Sequence, residues 1–281
     1  MAICLPGITI TEAVLTSSTA AEPGVGEQNW TSDGTFAKGE KAILGAPSAT
    51  VTMTIAAPAV ITWTANGLPN DTPVVLSTTG SLPTGLTAGT VYYVVDRTTN
   101  TFRLSETPGG APITTTGSQS GTHTATAQIH TVFESQVDSN TGNPPAIDDQ
   151  TKWIPVGPTN RWAMLDLLRS SKTWAASPLT VVLTPGQRID TLFLGGLVAD
   201  EVTLTIEVDS EEIFTETRSL YTRQTLTWSD YFFRPIERRA SALFQNLPPV
   251  TGATITVEIA RNAGLVGCAS LVMGQKVYLG L

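Results

Sequence analysis

The sequence predicts an all-β protein: a small β-module split by an inserted β-sandwich, followed by a C-terminal β-sandwich of jelly-roll type. Three observations carry this. Charged residues are 14% of the 281-residue chain, against about 25% in an average globular protein, while Thr, Ser, Val and Gly abound, which suits strands rather than a helical bundle or disorder. Short apolar runs alternate with polar residues at period two, with turn residues between them. A nearly uncharged stretch rich in Thr, Gly and Pro, residues 47–127, interrupts two segments that read as one unit.

The elements follow in order. Residues 1–27 form an N-terminal arm and linker, with Ile8, Ile10, Val14 and Leu15 set among Thr and Ser as in an extended strand. Residues 28–46 and 128–159 form the split module, which carries Trp30 and Phe36 before the interruption and Phe133 and Trp153 after it. Such an insertion is tolerated because loop-closure entropy rises slowly with loop length. Within residues 47–127, strand-like runs at 51–55, 60–64, 73–77, 91–95 and 102–104 alternate with turns such as Leu82-Pro83-Thr84-Gly85-Leu86. That spacing suits a small sandwich or barrel. Residues 160–281 hold strands near 179–183, 189–194, 202–208, 212–217, 253–259 and 266–273. The clearest puts Ile255, Val257 and Ile259 on one face and Thr254, Thr256 and Glu258 on the other. The sole helical candidate, residues 162–168, is short enough to be a turn.

Composition excludes several classes of function. The net charge is −8, and residues 1–46 with 128–159 carry three Lys/Arg against nine Asp/Glu, so duplex DNA is not an expected partner. No apolar run approaches the ~20 residues of a membrane-spanning helix. The N-terminus lacks the basic and long apolar regions of a secretion signal, pointing to folding in a cytosol and to free thiols at Cys4 and Cys268. Neither a C-x-x-C nor a Cys/His cluster of metal-site spacing is present, and Gly195-Gly196 does not match a phosphate loop. His123 and His130 flank the return from the insertion with no catalytic partner in view. The expectation is a protein without catalytic, cofactor or metal site.

Two sets of residues have ligand-like chemistry. Trp30, Phe36, Phe133 and Trp153 could stack on sugar rings, or could fill the core of a small domain, which their burial payload favours. Residues 230–239 mix Tyr231, Phe232 and Phe233 with Arg234, Arg238 and Arg239, types enriched at protein interfaces. A sandwich loop with internal ion pairs accounts for them equally well.

The segment Gly157-Pro158-Thr159-Asn160-Arg161-Trp162-Ala163-Met164-Leu165-Asp166 resembles one recurrent in virion proteins of tailed bacteriophages. The module before it, through Trp30, Phe36, Gly39, Glu40, Phe133 and Trp153, is similar to the small chitin-binding type of carbohydrate-binding module. The opening residues 8–18 resemble the start of the same proteins, and residues 82–95 resemble an Ig-like module of phage tail proteins. The resemblance implies a tail structural protein located in the virion and made in the bacterial cytoplasm. Its partners would be other virion proteins and copies of itself, with glycan binding at Trp30, Phe36, Phe133 and Trp153 as the alternative. Ile8, Ile10, Tyr231, Phe232, Arg234 and Arg238 are the expected protein-contact residues, the arm by adding a strand to a neighbour.

Overall fold

The computed structural model describes residues 2–6, 8–148, 150–222, 227–233 and 237–278. Strands dominate, and the helices among the described residues are one six-residue α-helix, Trp228–Phe233, and a single 3-10 turn, Pro145–Ile147. The expected helical candidate is a run of turns in which Trp162 N–H and Ala163 N–H both donate to Thr159 O. The chain forms two compact units, Met1–Gly24 with Pro158–Leu281, and Val25–Gly157.

The two larger sheets of the first unit are antiparallel, and two two-stranded ribbons accompany them among the described residues. One has five strands in the order Glu211–Ser219, Glu201–Val208, Thr254–Ala260, Leu179–Leu183, Leu15–Ser18. The other has four, Ala2–Pro6, Ser270–Tyr278, Thr191–Gly195 and Ser241–Gln245. Alternation decides which side chains enter the core. Val181 and Leu204 both register opposite Val257, so apolar residues of three strands line up on one face. Those residues and Leu192, Leu194, Phe244, Leu271 and Met273 of the second sheet belong to one buried cluster. Each such side chain contributes about 1.5–3 kcal/mol on full burial. Gly195 and Gly196 serve close packing here. A Cβ on Gly196 would lie 2.4 Å from the Ala269 Cβ, and its φ is +63°.

The strands Glu201–Val208 and Glu211–Ser219 form a hairpin closed by Asp209 and Ser210, both at positive φ as a tight two-residue turn requires. Ile213 is an extra residue in the second strand, where the register shifts, and it is left exposed.

The N-terminal segment completes both sheets. Ala2–Pro6 pairs with Ser270–Tyr278, and Leu15–Ser18 pairs with Leu179–Leu183. Ile8, Ile10 and Val14 pack on the buried cluster of this same unit. Ile8 and Ile10, expected at a contact with a neighbouring chain, are thus partly buried against their own unit. The sheets offer edges with unpaired main-chain groups, and the segment satisfies them from within its own chain.

The second unit contains a six-stranded closed barrel in the order Thr101–Ser105, Ile61–Thr62, Ser48–Met53, His123–Ala127, Pro73–Thr78, Val91–Val95. This corrects the expectation of an Ig-like sandwich for the inserted domain: its hydrogen bonds close a barrel, because Thr101–Ser105 pairs with both Ile61–Thr62 and Val91–Val95. Closure removes free strand edges. The barrel's ends meet where Ala127 N–H donates to Pro47 O at 2.8 Å. Outside it, Trp153–Pro158, Thr131–Ser135, Lys41–Ile43 and Glu27–Asn29 form a four-stranded sheet. Barrel and sheet share one buried cluster, in which Phe36, Phe133 and Trp153 join Val51, Trp63 and Phe102.

Candidate docking site

The aromatics expected to offer a sugar platform are largely core residues. Phe36, Phe133 and Trp153 are buried, and Trp30 is half-buried against the same cluster. Phe36 and Trp153 meet edge to face at 5.1 Å, and the indole N–H donates to Asn143 O at 2.9 Å. The polar handle of Trp153 is thus used inside the fold, and no open face of two rings remains among the four. Of the two readings of this set, packing is the one that holds, because a small module needs its large rings to exclude water.

The most exposed aromatics among the described residues lie elsewhere, on an arm of the first unit. The strand Tyr221–Thr222 pairs with Glu237–Arg238, and the chain between them carries the helix Trp228–Phe233. Trp228 is 80% exposed, Tyr231 54%, Phe232 66% and Phe233 83%. The rings pack on one another. Trp228 stacks on Phe232 at 6.3 Å and meets Tyr231 edge-on at 6.4 Å, and Tyr231 meets Phe232 edge-on at 5.1 Å. Spacings of three and four residues place these rings together on a helix.

Asp200 fastens the base of the arm. Its main chain accepts Leu220 N–H at 2.8 Å, and Leu220 O in turn accepts Arg239 N–H at 2.8 Å. Its buried carboxylate accepts the Asn262 N–H at 2.8 Å on Oδ2 and the Tyr221 hydroxyl at 2.7 Å on Oδ1. The Arg238 guanidinium reaches the same Oδ1 at 3.1 Å, donates to the Tyr221 hydroxyl at 2.8 Å, and lies over the Tyr221 ring at 5.1 Å. The Asn262 N–H holds the carboxyl below the usual range; burial opposes this, and the Tyr221 and Arg238 groups reinforce it.

Tyr231 and Phe232 therefore stand on the exposed helix, while Arg238 belongs to the internal clamp. Arg234 lies outside the described residues. Of the two readings of residues 230–239, each describes a different part: ion pairing at the base, exposed rings on the helix. Trp228, Asp200 and Tyr221 escaped the sequence reading. Trp228 precedes Tyr231 by three residues and Phe232 by four, a signal that could have found it; nothing local marks Asp200.

His123 is buried in the barrel with its Nδ1 2.8 Å from the Thr78 hydroxyl. No group of three or more metal-ligating side chains occurs among the described residues. Cys268 is a free, buried thiol whose pKa burial pushes up to about 12. No helix among the described residues is long and apolar enough to cross a membrane.

No protein-family model matches the chain, and no curated protein matches it. Among solved structures, SpGH29 aligns with 41% of this chain and 24% of its own at 15% identity, with a TM-score of 0.29. An F5/8 type C domain of a Bacteroides fragilis protein aligns with 42% of this chain and 82% of its own at 9% identity, with a TM-score of 0.28. Likeness this partial carries no function across.

Proposed function

We propose that this chain is a non-catalytic structural subunit of a tailed-phage particle, present in several copies and docking on neighbouring virion proteins. The observation that carries this reading is the arm: four exposed aromatic rings within six residues, on a base tied by a buried carboxylate. Monomeric soluble proteins rarely leave large apolar clusters uncovered, and aromatic residues dominate interface hot spots. The resemblance of residues 157–166 to phage virion proteins supplies the setting. The glycan alternative loses its support with the burial of Phe36, Phe133 and Trp153.

Mass spectrometry of washed particles tests the proposal. The chain is expected in stoichiometric amounts beside known virion proteins. Its presence in infected-cell lysate with absence from washed particles would overturn the reading.

A further inference from the structure

One strand of the barrel outruns its neighbour. Ser48–Met53 pairs with His123–Ala127 from Ser48 opposite Thr126 to Val51 opposite His123, and that ladder stops there. Thr52 and Met53 continue past it, paired on their other side with Thr62 and Ile61. Beyond the end of the ladder the Gln119 side chain reaches across, and its NH2 donates to Met53 O at 2.8 Å. A pocket of about 310 Å³ lies here, lined by residues 50–53 and 119–123. Small-molecule sites span about 300–1,000 Å³, so this one suits a single small ring.

The lining holds no Asp, Glu, Lys or Arg. What it offers is neutral hydrogen bonding that the fold leaves unused. His123 is only 5% exposed, and the Thr78 hydroxyl of the neighbouring strand pins its Nδ1 at 2.8 Å. The other ring nitrogen, Nε2, has no partner. Met53 O can only accept, so it fixes which way the Gln119 amide is turned, and the amide Oε1 is left buried with no partner. A buried acceptor without a donor is uncommon in a native fold and calls for an explanation. The exposed Thr50, Thr52 and Thr122 add hydroxyls, and the buried Val51 and Met53 add apolar surface.

We propose that this pocket binds one neutral sugar ring, a pyranose either free or at the end of a glycan chain. A hydroxyl both donates and accepts. It therefore answers Gln119 Oε1, which needs a donor, and His123 Nε2 in either tautomer. The C–H faces of the ring suit Val51 and Met53. A phosphate or carboxylate would find no cation in the lining, and an apolar ligand would leave Oε1 unpaired. The site uses none of Trp30, Phe36, Phe133 and Trp153, so their packing in the core does not bear on it. It stands independently of the virion reading.

Titration of the 15N-labelled full chain, followed by amide NMR shifts, tests this. The probes are D-glucose, D-galactose, D-mannose and N-acetyl-D-glucosamine, with inorganic phosphate as the charged comparison. At least one sugar is expected to shift the amides of residues 50–53 and 119–123 saturably, with a Kd on the order of 1–10 mM for so small a ligand. Thr50→Val with Thr122→Val removes two hydroxyls at exposed positions and keeps their shape, so the melting temperature should hold. Binding by this variant is expected to be at least about tenfold weaker, about 1.4 kcal/mol. Gln119→Leu removes the unpaired oxygen and is expected to weaken binding likewise. Methyl glycosides that bind as the free sugars do would support a chain end as the natural ligand, and weaker binding by them would support a free sugar. No saturable shift at these amides from any of the sugars up to about 100 mM would overturn the inference. So would phosphate shifting the same amides, or a threonine variant that binds as the parent does. Loss of sugar binding in Trp228→Ala would place the ring on the exposed helix and overturn the pocket.

Discussion

Replacing Asp200 by Asn is the most informative single change. The carboxylate serves two sets of donors: Asn262 N–H on Oδ2, and Tyr221 with Arg238 on Oδ1. An amide has one oxygen, so one set must face an NH2 group instead. A hydrogen bond to a charged group is worth about 1.5–3 kcal/mol, and the opposed donor adds its own desolvation cost. The expected loss is about 2–4 kcal/mol at pH 7, a fall in Tm on the order of 10 °C for a unit of this size. Calorimetry of the full chain measures it, and faster hydrogen exchange at Asn262 N–H localises it. Acid provides a second readout. The folded carboxyl titrates below its unfolded value, so its stabilisation is present above the unfolded pKa and fades as pH falls through the folded one. The gap between parent and variant should therefore narrow below about pH 4. A gap under about 0.5 kcal/mol at pH 7, or one unchanged in acid, would refute the clamp as described.

Other consequences are open to direct measurement. Trp153→Ala removes a buried indole and its bond to Asn143 O; the second unit should lose about 3–5 kcal/mol by calorimetry, and a loss near zero would contradict its place in the core. Gly196→Ala forces a Cβ to 2.4 Å from another at positive φ, and should cost about 1–3 kcal/mol in thermal unfolding. Cys268 should resist alkylation at pH 8 in the native protein and react after unfolding, read by peptide mass spectrometry. Trp228→Ala should leave Tm nearly unchanged, within about 0.5 kcal/mol of stability, since the ring is 80% exposed.

The fold class was legible because strand alternation is local. Ile255, Val257 and Ile259 are buried at alternate positions, as their neighbours Thr254, Thr256 and Glu258 required. The place of the N-terminal segment was not legible, since Ile8 and Ile10 look the same whether the sheet they join is their own or a neighbour's. Aromatic clusters posed the same problem. Trp153 and Trp228 belong to equally aromatic-rich segments, yet one is in the core and the other is exposed. Burial is settled by what the rest of the chain brings alongside, which composition does not contain. Asp200 carries no local mark because its partners come from residues 221, 238 and 262.

The pairing of Ala2–Pro6 with Ser270–Tyr278 has a consequence in time as well as in space. Every partner strand in the second unit comes from residues 25–157, so that unit has all its pieces while the ribosome is still working downstream. The opening strand has no mate until residues 270–278 emerge. At about 5–20 residues per second, synthesis of the stretch after residue 157 takes roughly 6–24 s. Through that interval Ile8, Ile10, Val14 and Leu15 lack the cluster that later covers them. Met1–Gly24 therefore waits for strands made after residue 157, and the fastening of the arm, which needs Asn262, waits with it. A nascent chain would hold the arm fastened only once residue 262 has emerged.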